Sequence, residues 1–359
     1  MRNAIALFVL AVSAVALSAQ KRLVLVDQDG AGPGGSDQMS MLALLQAPDV
    51  QVLGITMVTG DAWRDEETLH TLRMLELTGH TDVPVVRGAV FPLVRNQEDT
   101  SIQEAIDGKA PWLGAWGGVT ATAAGPVKPQ SHGPHEIPPM PEGLPAAKPL
   151  DEDAAHFLIR QVRAHPHQVT IYAAGPLTNI ALAISIDAEF ASLTKGIVIM
   201  GGSLNPQSSD IEASDPRHEF NFWFDPEAAH IVLRADWPRL DVTTEDVSLK
   251  TQFTQEMLDA ISKSQTPAAR YIAAWSQRRT SMWDELEACA WIDPAIITRE
   301  VDVYMDVDLS HGPSYGDTLA WPAALKPTDG VRMVHAQMDL DLARFQKEFI
   351  DLMTQNSSK

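Results

Sequence analysis

Apolar and polar positions alternate along this chain in blocks. Residues 22–26 (RLVLV) form a run that suits a short buried strand, and it ends in a turn-rich stretch, 27–36. A helical pattern from Asp37 to Leu45 follows. The same rhythm predicts a strand at Val50–Val58, a helix at Glu66–Leu77 and a short strand at Val83–Val86. It resumes with a helix at Glu152–Ala164, a strand at Val169–Ala173, a helix at Leu177–Ser185 and a strand at Gly196–Met200. A helix at Pro226–Ala235 and a strand at Arg239–Thr243 complete the series. Strands that alternate with helices predict the α/β class, a mostly parallel central sheet with helices on both faces and a Rossmann-like core. Such sheets place their chemistry at the carboxyl ends of the strands. A more helical stretch at 250–290, strands at Val301–Asp308 and Val331–Gln337, and an amphipathic helix at Leu342–Met353 close the chain.

Two segments break the rhythm. Residues 113–150 are rich in Pro and Gly with almost no periodicity, which predicts a long loop of the kind that serves as a lid or a spacer. At the N-terminus Arg2 precedes an apolar run from Ala4 to Leu17 and the small residues Ser18 and Ala19, the pattern of a secretory signal over 1–20. A membrane anchor ranks second, because that run of 14 residues is short of the roughly 20 needed to span a bilayer. Residues 21–359 then read as one domain, secreted or periplasmic, with no stable membrane insertion.

Composition narrows the choice of partner. The chain has 359 residues, 45% hydrophobic and 21% charged, with a net charge of -20 and a pI near 4.8. That field repels phosphate backbones, so a neutral small molecule or a cation suits it better than a nucleic-acid polymer. The single cysteine, Cys289, excludes an intramolecular disulfide and reads as a buried inert thiol.

Candidate chemistry begins where the first strand ends. The segment VDQDGAGPGGSDQ gathers Asp27, Asp29 and Asp37 at a strand-to-helix turn, and converging carboxylates call for a cation to offset their repulsion. With oxygen donors and no His or Cys, calcium is favoured over zinc. Alone, the cluster reads first as an Asp-rich turn with a helix cap at Ser36 or Asp37.

Further segments give it company: GITMVTGD at 54–61, AGPLTNIALAI at 174–184, IVIMGG at 197–202, HEFNFWFDPEAA at 218–229 and WDELEACAWIDPAI at 283–296. In this order and spacing they resemble the nucleoside hydrolase family of the inosine-uridine preferring type, as a divergent member. The resemblance implies calcium-dependent (Ca2+) hydrolysis of the N-glycosidic bond of a ribonucleoside or related N-riboside. Asp29 then corresponds to a metal-bound carboxylate that also acts as general base, chosen over Asp27 because it lies farther beyond the strand. Asp37, Asp284 and the backbone carbonyl of Thr178 correspond to the other metal ligands. Asp61, Glu219 and Asn221 correspond to sugar-binding positions, and Ser36 and Trp283 fill two more substrate positions.

The departures are specific. Ser36 replaces a carboxylate, Ala213 replaces an Asn, and Trp283 replaces a His that assists the departing base. Base activation then falls to stacking on Trp283 or to a proton from His132, His135 or His218, each of which taken singly reads first as a surface or loop residue. Trp63, Trp112, Trp116 and Trp223 either line a pocket or simply pack. A second reading is a catalytically degenerate calcium-containing periplasmic binding protein for a nucleoside or sugar, and a third is hydrolysis of another glycoside or an ester. The family resemblance leaves a homo-oligomer open.

Overall fold

The computed structural model describes residues 21–110, 112–117, 120–122, 125–127, 132–204, 219–276 and 280–355. The leader expected at 1–20, Ala213 and His218 lie outside them.

Apolar runs of five to eight residues, buried on both faces, build the centre of the sheet. They are β1 (Arg22–Gln28), β2 (Val50–Met57), β7 (Val169–Ala174) and β8 (Gly196–Met200). The parallel set is completed by β3 (Val85–Arg87), β6 (Leu150–Asp153), β9 (Leu240–Thr243) and β12 (Arg332–Leu340). Strands β10 (Ile297–Val307) and β11 (Thr318–Trp321) add an antiparallel edge. The ten strands run in the order β11-β10-β12-β9-β8-β7-β1-β2-β3-β6. A separate hairpin pairs β4 (Thr120–Thr122) with β5 (Gly125–Val127).

One face is covered by α1 (Ser36–Gln46), α2 (Arg64–Thr78), α9 (Gln255–Ile261), α10 (Pro267–Trp275), α11 (Trp283–Ile292) and α12 (Leu342–Thr354). The opposite face is covered by α4 (Ala154–Ala164), α5 (Thr178–Ile186) and α7 (Pro226–Leu233). The remaining helices are α3 (Gln97–Asp107), α6 (Phe220–Phe224) and α8 (Glu245–Ser248). This is the α/β arrangement that the periodicity predicts, with two hydrophobic cores separated by the sheet.

The differences have local causes. Leu150–Asp153 is a strand, and the helix expected from Glu152 begins at Ala154, where the Asp153 side chain caps it by accepting from His156 N at 3.1 Å. Part of the expected loop is not loop at all. Residues Gly114–Trp116 form a buried 3-10 turn, because Trp116 stacks on Phe224 with centroids 4.5 Å apart. Helix α3 was not expected. Neither Ser36 nor Asp37 caps α1, whose N-cap is Gly35 with no side-chain bond.

Two tethers matter later. Arg22 stacks on Trp291 at 4.6 Å and donates to the carbonyls of Trp291 and Ile292 at 2.8 and 3.2 Å, the C-terminal end of α11. On the other side, the 132–150 connection is bound to α2. His132 pairs with Glu66 at 3.0 Å, His135 with Asp65 at 2.7 Å, and His70 with Glu142.

His70 is buried and also lies 3.7 Å from Glu66. Burial alone would depress the imidazole, but Glu142 and Glu66 outweigh it and raise its pKa from 6.5 to about 8. A folded-state pKa above the unfolded one stabilises fully below pH 6.5 and is lost as pH rises through about 8. The stability gap between wild type and Glu142→Gln should therefore shrink by on the order of 1–2 kcal/mol across that window, measured by urea unfolding. A gap that does not change with pH would exclude the charged pair.

Candidate active site

Four carboxylates meet at the carboxyl rim of the sheet. Asp29 is the first residue past β1, Asp61 lies in the turn after β2, and Asp37 sits in the first turn of α1. Asp284 is the second residue of α11 and arrives from 255 positions after Asp29. Asp29, Asp37 and Asp284 are 3%, 6% and 4% exposed, so the chain has removed them from solvent. The backbone N–H of Asp61 donates to Asp29 Oδ2 at 2.9 Å.

Gln28, a polar residue at the end of an apolar strand, joins the group. Its amide nitrogen donates to Asp284 Oδ2 at 2.9 Å, and its Oε1 accepts from Asp29 N at 3.2 Å. Tyr172 of β7 donates to the Asp284 carbonyl at 2.9 Å and fixes the start of α11. Sequence reasoning missed both residues, although a Gln closing a buried strand was a usable signal.

Burial is the main reason the four titrate abnormally. It raises Asp29 and Asp37 well above the ordinary carboxylate range, and the next contributors are the other carboxylates of the cluster. Burial also raises Asp284 to about 7, against hydrogen bonds from Gln28 and Asp37. Asp61 is raised to about 6 by burial, and the Trp112 indole, which donates to Asp61 Oδ1 at 2.5 Å, holds it down. Glu67, on α2, accepts from Ala62 N at 2.8 Å and is likewise raised well above the usual range by burial and by Asp29.

An oxygen-only set whose strongest charged neighbours are one another fits a hard divalent cation. The only three His, Cys, Asp or Glu side chains with ligating atoms all within 4.8 Å of one another, among the described residues, lie elsewhere. They are Glu300, Asp302 and His335 on the outer ribbon of β10 and β12.

The other expected positions divide. Ser36 donates to Glu285 Oε2 at 2.5 Å and accepts from Asp284 N at 3.3 Å, so it braces α11 against α1. The Thr178 hydroxyl is committed to Asp225 at 2.6 Å, which leaves only its carbonyl to consider as a ligand. The part of that segment that stands against Asp29 is Gly175. Glu219 caps α6 and accepts from Asn221 N, Phe222 N and Gly202 N, while Asn221 donates to the Met200 carbonyl at 3.0 Å. Asp27 accepts from Thr56 and Asn179 within the sheet. Trp283 is half-buried against the core beneath α11. Trp63, Trp116 and Trp223 form an aromatic cluster with Phe224, and Trp112 alone of the four reaches a cluster carboxylate. Cys289 is fully buried.

The sequence pattern of the inosine-uridine preferring nucleoside hydrolases matches residues 24–347. The chain belongs to that family. Nucleoside hydrolases are hydrolases acting on N-glycosyl bonds. Over 366 residues the chain is 29% identical to an uncharacterised protein of Schizosaccharomyces pombe, covering 96% of this chain and 88% of that one. It is 31% identical to a probable uridine nucleosidase of Oryza sativa subsp. japonica, over 71% of this chain and 68% of the relative. Among solved structures, a plant nucleoside hydrolase superposes with a TM-score of 0.71 at 23% identity, over 93% of this chain and 99% of that one, which shows the shared fold.

In this nucleoside hydrolase the backbone approaches Asp29 closely at two glycines. A Cβ on Gly175 would stand 2.8 Å from Asp29 Oδ1, and one on Gly60 would overlap Oδ2. Gly60→Ala should therefore displace the carboxylate and lower kcat/KM by roughly a hundredfold while thermal unfolding stays cooperative. Wild-type activity in that variant would show that the glycine does not set the carboxylate's position.

Proposed function

We propose that the chain hydrolyses the N-glycosidic bond of a ribonucleoside outside the cytosol, with Ca2+ held by Asp29, Asp37, Asp284 and the Thr178 carbonyl. The convergence of Asp29, Asp37, Asp61 and Asp284 from three separate segments carries this reading. Calcium bound among them supplies positive charge that keeps the carboxylates ionised and acidifies a neighbouring water. Asp29 is the general base, since its Oδ2 is oriented by the Asp61 N–H and its backbone by Gln28. Asp61, Glu219 and Asn221 face the sugar, where carboxylate and amide oxygens favour the positive charge that develops as the base leaves.

His132 and His135 are spent on Glu66 and Asp65 in tethering the long connection. Assistance to the departing base then falls to stacking on Trp283 or to a proton from His218, which lies outside the described residues. Uridine is the first substrate to try, because the rice relative carries that name.

The test is a reducing-sugar assay over a purine and pyrimidine nucleoside panel. Turnover of at least one nucleoside is expected, with chelation abolishing it and added calcium restoring it. Asp29→Ala should lose at least a thousandfold in kcat, as expected for removal of both a base and a ligand. Release undiminished by chelation would overturn the metal assignment, and no release from any nucleoside would overturn the reaction.

A further inference from the structure

Gln28 closes β1, and the pleat of the strand decides what it meets. Alternate side chains point to opposite faces, so Gln28 shares a face with Val24 and Val26, beneath α1 and α11. Asp27 turns to the other face, where Thr56 and Asn179 hold it. Gln28 is fully buried, so its amide must find every partner inside the protein.

Both N–H donors and the carbonyl of that amide are spent on the carboxylate cluster. Oε1 accepts from the Asp29 N–H at 3.2 Å, which sets the amide's orientation. Nε2 then donates to Asp284 Oδ2 at 2.9 Å and to Ser40 Oγ at 3.3 Å. Ser40 in turn donates to the Asp37 carbonyl at 2.8 Å. One side chain thus ties together Asp29, Asp284 and, through Ser40, Asp37, the three residues whose carboxylates hold the proposed cation.

The three contacts are not equivalent. Those to Asp29 and Asp37 reach backbone groups that the end of β1 and the first turn of α1 already place. The contact to Asp284 reaches the carboxylate itself. Tyr172 and Ser36 bond the Asp284 carbonyl and N–H, which fixes the start of α11 but does not orient its side chain. Gln28 orients it. An amide is also neutral, so it holds Asp284 Oδ2 without offsetting the negative charge that attracts a cation, as an arginine or lysine in its place would. Hydrogen-bonded partners of ligating carboxylates commonly change metal affinity by roughly 10- to 100-fold.

We propose that Gln28 is a positioning residue that sets the affinity of the cluster for its divalent cation, by fixing the Asp284 carboxylate relative to Asp29. The inference rests on the calcium reading above and deepens it. Gln28 does not touch the ion; it determines how closely the carboxylate from α11 and the one beyond β1 are held to the spacing an ion requires.

Calorimetric titration of the chelator-stripped chain with Ca2+ tests this, with thermal unfolding of the same samples in the presence and absence of saturating Ca2+. Gln28→Met, close in volume but without the amide, should weaken calcium by roughly tenfold or more and shrink the calcium-induced rise in Tm. A purely structural role would lower Tm equally with and without the ion and leave the affinity unchanged. Gln28→Asn, a milder change that keeps the amide one methylene short, should weaken calcium by about threefold or more. Thr56→Val removes a buried hydrogen bond to Asp27 on the other face of β1 and should bind calcium within about twofold of wild type. Calcium binding by wild type that is unchanged in both Gln28 variants overturns this inference alone. A loss in Thr56→Val equal to that in Gln28→Met assigns the effect to a loosened strand and also overturns it. No calcium binding by wild type overturns the cation reading, and this inference with it.

Discussion

Mutual repulsion among buried carboxylates is the constraint on which this structure depends. Asp29, Asp37, Asp61 and Asp284 are drawn together by elements that are each stable for other reasons. Apolar strands β1 and β2 pair in parallel, α1 packs on the sheet, and α11 is held at its start by Tyr172 and at its end by Arg22. The two hydrophobic cores supply the free energy that opposes the charges, and the site is the place where that free energy is stored as unfavourable electrostatics. The same logic places Glu67, Glu285 and Glu287 behind the rim, each buried and each raised well above its ordinary pKa by burial.

The sheet rim also determines how the parts of the site are held. Carboxyl ends of β1, β2, β7 and β8 deliver Asp29, Asp61, Gly175 and the Met200 carbonyl to one side of the sheet. Because the strands are parallel, adjacent ends lie about 5 Å apart, so residues distant in sequence are neighbours without any long loop. The aromatic cluster of Trp63, Trp116, Trp223 and Phe224 then forms a stiff wall beside Asp61, and the 132–150 connection is strapped across α2 by histidine–carboxylate pairs rather than by apolar packing.

Much of the fold was legible because burial on both faces forces long apolar runs, and β1, β7 and β8 are such runs. Helix α3 was not legible: Ile102 and Ile106 are mostly exposed, and Thr100 is the only buried residue it has, so no apolar stripe marked it. The turn at Gly114–Trp116 was hidden for the opposite reason, since its burial comes from contacts with Phe224 more than a hundred residues away. In the site, Asp29, Asp37, Asp61 and Asp284 could be placed from their motifs. Tyr172 could not, because its role is one hydrogen bond across the fold that leaves no periodic trace, whereas Gln28 was marked by its polar side chain at the end of a buried strand. The threefold engagement of Glu219, three backbone amides on one carboxylate, was equally invisible.

Arg22 adds a geometric corollary. The first strand's opening side chain closes the far end of α11, where the last carbonyls of a helix attract a cation, and the same helix carries Asp284 at its other end. The start of the folded domain is thus mechanically linked to a buried carboxylate of the cluster three-quarters of the way along the chain. Losing the Arg22 side chain would leave the far end of α11 to the Arg344–Asp293 pair without its capping cation, and the slack would be felt at Asp284 rather than as a frayed terminus.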